Sequence, residues 1–243
     1  MMRKVLWCVA LLPALALANA GAPLDTAPIN SRDKLSLQRG VSHFVNYCLS
    51  CHSANFMRYS RLQDLGLTEE QIKTHLLPAG VKIGDPMSIT MLPQDAKTWF
   101  GKVPPDLSVI ARSRGVDWLY SYLRGFYRDD KKASGWNNTV FPDVGMPHVL
   151  VELQGEQVVH HESEKGEHAA HAAHAVKLIL EKPGKLTKLE YDEFVADLVN
   201  YLDYMAEPSK GKRILTGILV LFFLALLLPL VVLIKKEYWK DLK

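Results

Sequence analysis

Apolar residues in this chain fall into one unbroken run at the N-terminus, several sets spaced at a helical period, and one long charge-free run near the C-terminus. Leu37, Val41, Phe44, Val45 and Cys48 recur at i, i+4, i+7, i+8 and i+11, one face of a helix predicted to open at Ser31. Thr68-Glu69-Glu70-Gln71 has the spacing in which a capping threonine and a glutamine three residues on satisfy each other's backbone N–H groups. Ile72, Leu76 and Leu77 follow, and Pro78 and Gly80 stop that helix. Val81 to Gly101 mixes Gly and Pro with short apolar groups and is predicted to be mostly loop. After Pro104-Pro105, Asp106 is the expected N-cap of a helix over Leu107 to Arg114. Val116, Leu119, Tyr120 and Leu123 mark another short amphipathic helix ending near Gly125. Asp129 to Leu153 has no sustained period, and aperiodic stretches of that length are uncommon unless they serve a function. Thr187-Lys188-Leu189-Glu190 repeats the capping pattern ahead of a face made by Tyr191, Phe194, Val195, Leu198, Leu202 and Met205, closed by Glu207-Pro208.

The two unbroken runs address the chain to a membrane. Arg3 and Lys4 precede the apolar stretch Val5 to Leu17, and Ala18-Asn19-Ala20 supplies small residues for cleavage, so residues 1–20 are expected to be a secretory signal. That run is short for a span, and bulky Trp7 before Cys8 argues against a lipid-bearing cysteine. Ile214 to Ile234 carries no charge and would rise about 31 Å as a helix, the thickness of a hydrocarbon core. Lys210, Lys212 and Arg213 flank one end and Lys235, Lys236 and Lys240 the other, so the charge bias barely orients it. Export orients it instead. The expected organisation is a signal over 1–20, an exported domain over 21–209, an anchor over 210–234 and a cytoplasmic tail over 235–243.

Composition narrows the function. The net charge is only +3 and no basic stripe is interleaved with aromatics, which argues against nucleic acid as a partner. Of the three cysteines, Cys48 and Cys51 stand in Tyr47-Cys48-Leu49-Ser50-Cys51-His52. The C-x-x-C-H spacing is that of a c-type haem attachment site: the thiols become thioethers and His52 becomes the proximal ligand. A zinc site would need a second Cys or His pair, and a thioredoxin-like dithiol would need a βαβ setting. Gln154 to Ala175 is insertion-like and holds His160, His161, His168, His171 and His174. Its low complexity and lack of cysteine favour a solvated polar excursion over a metal site.

A second axial ligand can come from Met57, Met87, Met91, Met146 or Met205. Met57 follows His52 too closely to reach the opposite haem face with ease, and Met205 sits on an amphipathic helix. Met87 and Met91 remain contenders in a Pro-containing loop, beside Met146, which Gly145 and Pro147 flank. Methionine/histidine ligation raises the potential and closes both axial positions, which suits electron transfer and disfavours peroxidase or sensor chemistry. Arg112 and Arg114 are both candidates to pair with a haem propionate.

Four words in order, Tyr47 to Ser53, Pro104-Pro105-Asp106-Leu107-Ser108, Gly145-Met146-Pro147 and Ala206-Glu207-Pro208, resemble the cytochrome c1 family of the quinol–cytochrome c oxidoreductase (bc1) complex. The resemblance runs from about Ser31 to the C-terminus. It implies a mainly α, class I cytochrome c-like haem domain with long loops plus one C-terminal transmembrane helix. It implies one covalent haem c, His52 and Met146 as axial ligands, and Arg114 as the propionate partner. It further implies an electron carrier without substrate chemistry of its own, in a bacterial inner membrane, with its haem domain in the periplasm. Cytochrome b, a Rieske iron–sulfur protein and a cytochrome c acceptor are the implied partners, in a dimeric complex. The alternative is a haem c subunit of a terminal oxidase or membrane dehydrogenase. The His-rich excursion has no counterpart in the family, and an extra disulfide is impossible here.

Overall fold

The computed structural model of the protein describes residues 23–89, 91–160 and 177–240. The signal sequence and His161, His168, His171 and His174 lie outside the described residues. The architecture is mainly α with three small antiparallel ribbons among the described residues.

Helix α1 spans Lys34–Tyr47. Its cap is Asp33 rather than Ser31, because the Asp33 carboxylate reaches the N–H groups of Leu35 and Ser36. Leu37, Val41 and Phe44 are buried as the period requires. Strand β1, Ala54–Arg58, pairs with β2, Pro86–Met87, and a 3₁₀ turn over Tyr59–Leu65 leads to α2, Glu69–His75. The Thr68/Gln71 capping box of α2 is formed in both directions. The expectation of loop over Val81 to Gly101 is corrected by β2 and by α3, Pro93–Phe100. Only Ala96 of α3 is buried, so this helix has no apolar stripe to betray it, and Pro93 at its first turn is its one clear signal.

Helix α4 is Ile110–Arg114 and α5 is Val116–Arg124. Ribbon β3–β4 pairs Phe126–Arg128 with Trp136–Asn138. Short helix α6, Val151–Gln154, precedes the ribbon of β5, Gly155–His160, and β6, Lys177–Pro183. Helix α7, Lys188–Ala206, carries its capping box at Thr187/Glu190 and buries Tyr191, Val195, Leu198, Leu202 and Met205.

Helices α1 and α7 form the centre of the core. They approach at Gly40, where a Cβ would lie 2.1 Å from the Asp197 carbonyl oxygen and 2.7 Å from Tyr201 Cβ. A bidentate pair from Arg39 to Asp197, at 2.5 and 3.0 Å, sits beside that crossing. The Asn200 amide donates to Asn30 O and Ser36 Oγ, at 2.9 and 2.8 Å. Tyr191 Oη donates to Leu123 O at 2.8 Å and joins α7 to α5. The N-terminal segment is latched onto α5: Asp25 N donates to Ser121 Oγ, Ala27 N donates to Asp117 Oδ1, and Arg124 bridges Asp25 and Asp192.

Helix α8, Lys210–Tyr238, leaves this domain with none of its residues buried, and its 29 residues extend about 44 Å. Its charge-free part, Ile214 to Ile234, is exposed all round, a surface that suits a hydrocarbon phase and not a protein core. Its base is tied to the end of α7 by Lys210 to Asp203, at 3.2 Å, and by Arg213 to Glu207.

Candidate haem site

The first half of the site is the turn that follows α1. Cys48 N donates to Phe44 O, and both Cys51 N and His52 N donate to Cys48 O, at 3.1 and 2.9 Å. Both thiols are free and half-buried. Burial, and secondarily Cys51, pushes the Cys48 thiol up to about 12, so it is neutral and at home against an apolar group. His52 Nδ1 lies 2.8 Å from Pro105 O. A carbonyl can only accept, so Nδ1 carries the proton and Nε2 carries the lone pair. Burial lowers the His52 pKa against the opposing pull of Pro105 O and Asp106, which favours the neutral ring a metal needs. Two thiols and a neutral imidazole with its tautomer fixed from outside are a donor set that fits haem c.

Asp106 does not cap a helix, contrary to expectation; α4 starts at Ile110, and Asp106 clamps the turn instead. Its Oδ2 accepts from Asn55 N and Nδ2, at 2.9 and 2.8 Å, while Oδ1 accepts from Ser108 N at 2.8 Å. Burial alone would raise its pKa, but these hydrogen bonds outweigh it and hold the carboxyl below the usual range. Phe56 N donates to Ser108 Oγ and Leu107 N donates to Ser53 O. Pro105, Asp106, Leu107 and Ser108 therefore each hold a residue of the segment from His52 to Phe56.

The second half is the loop around Met146. Tyr122 Oη donates to Met146 Sδ at 3.4 Å, and Met146 is half-buried. Burial also pushes the Tyr122 phenol up, so it stays protonated. Met57, Met87 and Met205 are buried in the core, and Met87 accepts from Tyr201 Oη at 3.4 Å. Met91 is half-buried. Asn137 and Asn138 organise the approach to Met146. Asn138 Oδ1 accepts from Val140 N and Phe141 N, Asn138 Nδ2 donates to Tyr122 O, and Asn137 Oδ1 accepts from Asp143 N. Both halves rest on one continuous stretch, since His52 is held by Pro105 and Met146 by Tyr122.

An aromatic column runs through Trp118 and Tyr122, four residues apart on α5, and is extended by Arg114 at the end of α4 and Phe126 at the start of β3. The Arg114 guanidinium lies 5.1 Å from the Trp118 ring and 5.8 Å from Phe141. Trp118 stacks on Tyr122 at 4.8 Å, Tyr122 meets the edge of Phe126 at 5.1 Å, and Phe126 stacks on His148 at 4.9 Å. Among the described residues no carboxylate pairs with Arg114, whereas Arg112 feels Glu207. The sequence account of α5 covered its core face and missed Trp118 and Tyr122. Their four-residue spacing from Arg114 and Phe126 was the available signal.

The family model described as Cytochrome C1 family matches residues 25–242. The chain belongs to the cytochrome c1 family. It therefore carries one covalently bound haem c and serves as a membrane-anchored electron-transfer subunit of the bc1 complex. A relative from Allochromatium vinosum named cytochrome c1 is 45% identical over 99% of each chain. One from Nitrosomonas europaea, named ammonia monooxygenase gamma subunit, is 50% identical over 100% of this chain and 99% of its own. A solved chain of a hyperthermophilic respiratory complex III matches with a TM-score of 0.45 at 18% identity, covering 100% of this chain and 96% of its own.

Proposed function

We propose that Cys48 and Cys51 hold the haem as thioethers, that His52 and Met146 are its axial ligands, and that Arg114 takes a propionate. The observation that carries this is the 2.8 Å contact of His52 Nδ1 with Pro105 O, which puts the proton on Nδ1 and would leave the Nε2 lone pair for the haem iron. Haem c bound there supplies a one-electron iron couple. The chain's own part is to fix the imidazole from Pro105, to hold the sulfur against Tyr122, and to present a guanidinium on an aromatic bed. Half-burial of Met146, set against the core positions of Met57, Met87 and Met205, supports the choice of sulfur.

The electron comes from a Rieske iron–sulfur protein and leaves to a cytochrome c, with cytochrome b as the neighbour in the bilayer and a dimeric complex as the assembly. Cleavage after Ala20 leaves the haem domain in the periplasm and the tail from Lys235 in the cytoplasm. Purification from native membranes tests the assembly. Cytochrome b and an iron–sulfur protein should copurify, and their absence would sink the partner assignment. The name of the Nitrosomonas europaea relative favours a second assembly, an electron-transfer subunit of a monooxygenase, and copurification of such an enzyme would support it.

Met146→Leu tests the ligand. The ferric charge-transfer band of a sulfur-ligated haem should vanish and the midpoint potential should fall. A variant with unchanged band and potential would transfer the role to Met91, the other half-buried methionine of the aperiodic segments.

A further inference from the structure

Tyr122 presents one polar atom to the site, and that atom donates to Met146 Sδ. The ring has no freedom to turn away. Trp118 lies flat on it at 10° interplanar, Phe126 meets it at 68°, and Asn138 Nδ2 holds its backbone carbonyl at 2.8 Å. A thioether sulfur has two lone pairs, so one can face a metal while the other accepts this hydrogen bond. Such a bond draws electron density from the sulfur and weakens its donation. The oxidised iron, with the greater positive charge, loses more by that than the reduced iron does. Ligand electronics and outer hydrogen bonds are the two levers a protein has on such a couple.

We propose that Tyr122 is a positioning residue for the iron's sulfur ligand, selecting the lone pair that faces the metal and raising the reduction potential through its hydroxyl. This rests on the assignment of Met146 as axial ligand. The core supplies an internal control. Tyr201 Oη makes the same 3.4 Å contact with Met87 Sδ, but that pair joins α7 to strand β2 and both residues are fully buried in the core.

The test is a redox titration of the full-length protein in its membrane complex, comparing Tyr122→Phe, Tyr201→Phe and Met146→Leu. Tyr122→Phe keeps the ring and its stacking and removes the hydroxyl alone. At a fixed solution potential its reduced-to-oxidised ratio should fall by up to about tenfold, equivalent to a midpoint about 59 mV lower for a one-electron couple. Its ferric sulfur-to-iron band should persist but move. Tyr201→Phe should leave midpoint and band in place. If Tyr122→Phe leaves both unchanged while Met146→Leu abolishes the band, the inference is wrong and the ligand assignment stands. If Met146→Leu keeps the band, the ligand assignment itself has failed. Should Tyr122→Phe not accumulate holoprotein, a ring-fluorinated tyrosine placed at 122 decides the matter. Its hydroxyl is the stronger donor, so the midpoint should rise, and an unmoved midpoint would overturn the proposal.

Discussion

The α1–α7 crossing and the stretch from Pro104 to Leu150 are both well ordered, but by different physics. The crossing is made by size and period: apolar faces repeat every three or four residues and Gly40 removes the one atom that would hold the helices apart. The stretch from 104 to 150 alternates α4, α5 and the β3–β4 ribbon with irregular segments, and those segments are held by single polar atoms at fixed places, chiefly those of Asp106, Asn137 and Asn138. The first is non-directional and tolerates changes of side-chain chemistry so long as volume is kept. The second is directional and tolerates almost none. Met146 and Arg114 belong to the second, and His52, in the turn after α1, is held by it through Pro105 O, since a redox couple needs its ligands placed and not merely enclosed.

The sharpest way to break the first region is Gly40→Val. Its side chain would collide with backbone of α7, and the cost should reach or exceed the roughly 3 kcal/mol upper end of ordinary overpacking. A urea titration of the detergent-solubilised protein would read this as a collapsed midpoint; a native midpoint would mean the helices cross elsewhere. Asn138→Ala attacks the second region. It leaves Val140 N and Phe141 N without their acceptor, each costing about 1–3 kcal/mol where water cannot substitute, and leaves Tyr122 O with Gly125 N alone. The haem spectrum should change more than the far-ultraviolet helix signal does, and equal losses would erase the distinction between the regions.

A smaller effect in the first region is read by pH. His43 stacks on Phe194 at 3.8 Å, and its pKa is lowered by burial, with Asp197 opposing and Arg39 assisting. A folded pKa below the unfolded one means the unfolded chain binds the proton first. Stability of the α1–α7 pair should be full above about pH 6.5 and decline as pH falls below it. His43→Gln should flatten that slope in denaturant midpoints taken from pH 5 to 8. Smallest of all is Gly145→Ala. Its Cβ would meet Lys102 Cδ at 3.7 Å, an ordinary contact, and Gly145 does not occupy the left-handed region. A stability change within about 0.5 kcal/mol is expected. A large loss would show that Gly145 itself shapes the Met146 loop.

The same division explains what the sequence could tell. Faces such as Leu37, Val41 and Phe44, or Tyr191 to Met205, were legible because burial repeats with the helix. The capping boxes at Thr68 and Thr187 were legible because both partners lie within four residues. Cys48, Cys51 and His52 were legible because covalent chemistry fixes their spacing. Asp106 was misassigned because a carboxylate before a helix looks the same whether it caps that helix or clamps a segment far off, and the deciding partner, Asn55, is 51 residues away. Tyr122 and Asn138 were missed for a like reason. Helix α3 escaped because it is too solvated to show a period.

The latch of Asp25 and Ala27 onto α5 bears on the order of events during synthesis. Its hydrogen bonds join residues 96 and 90 positions apart, so Asp25 and Ala27 cannot be seated until residues 117–124 have been made. Contacts of such separation are made late, after local helices have formed. Cys48 and Cys51 lie inside the loop that this latch closes. The N-terminal strap is thus one of the last fastenings of a domain whose attachment turn can form early, from α1 alone.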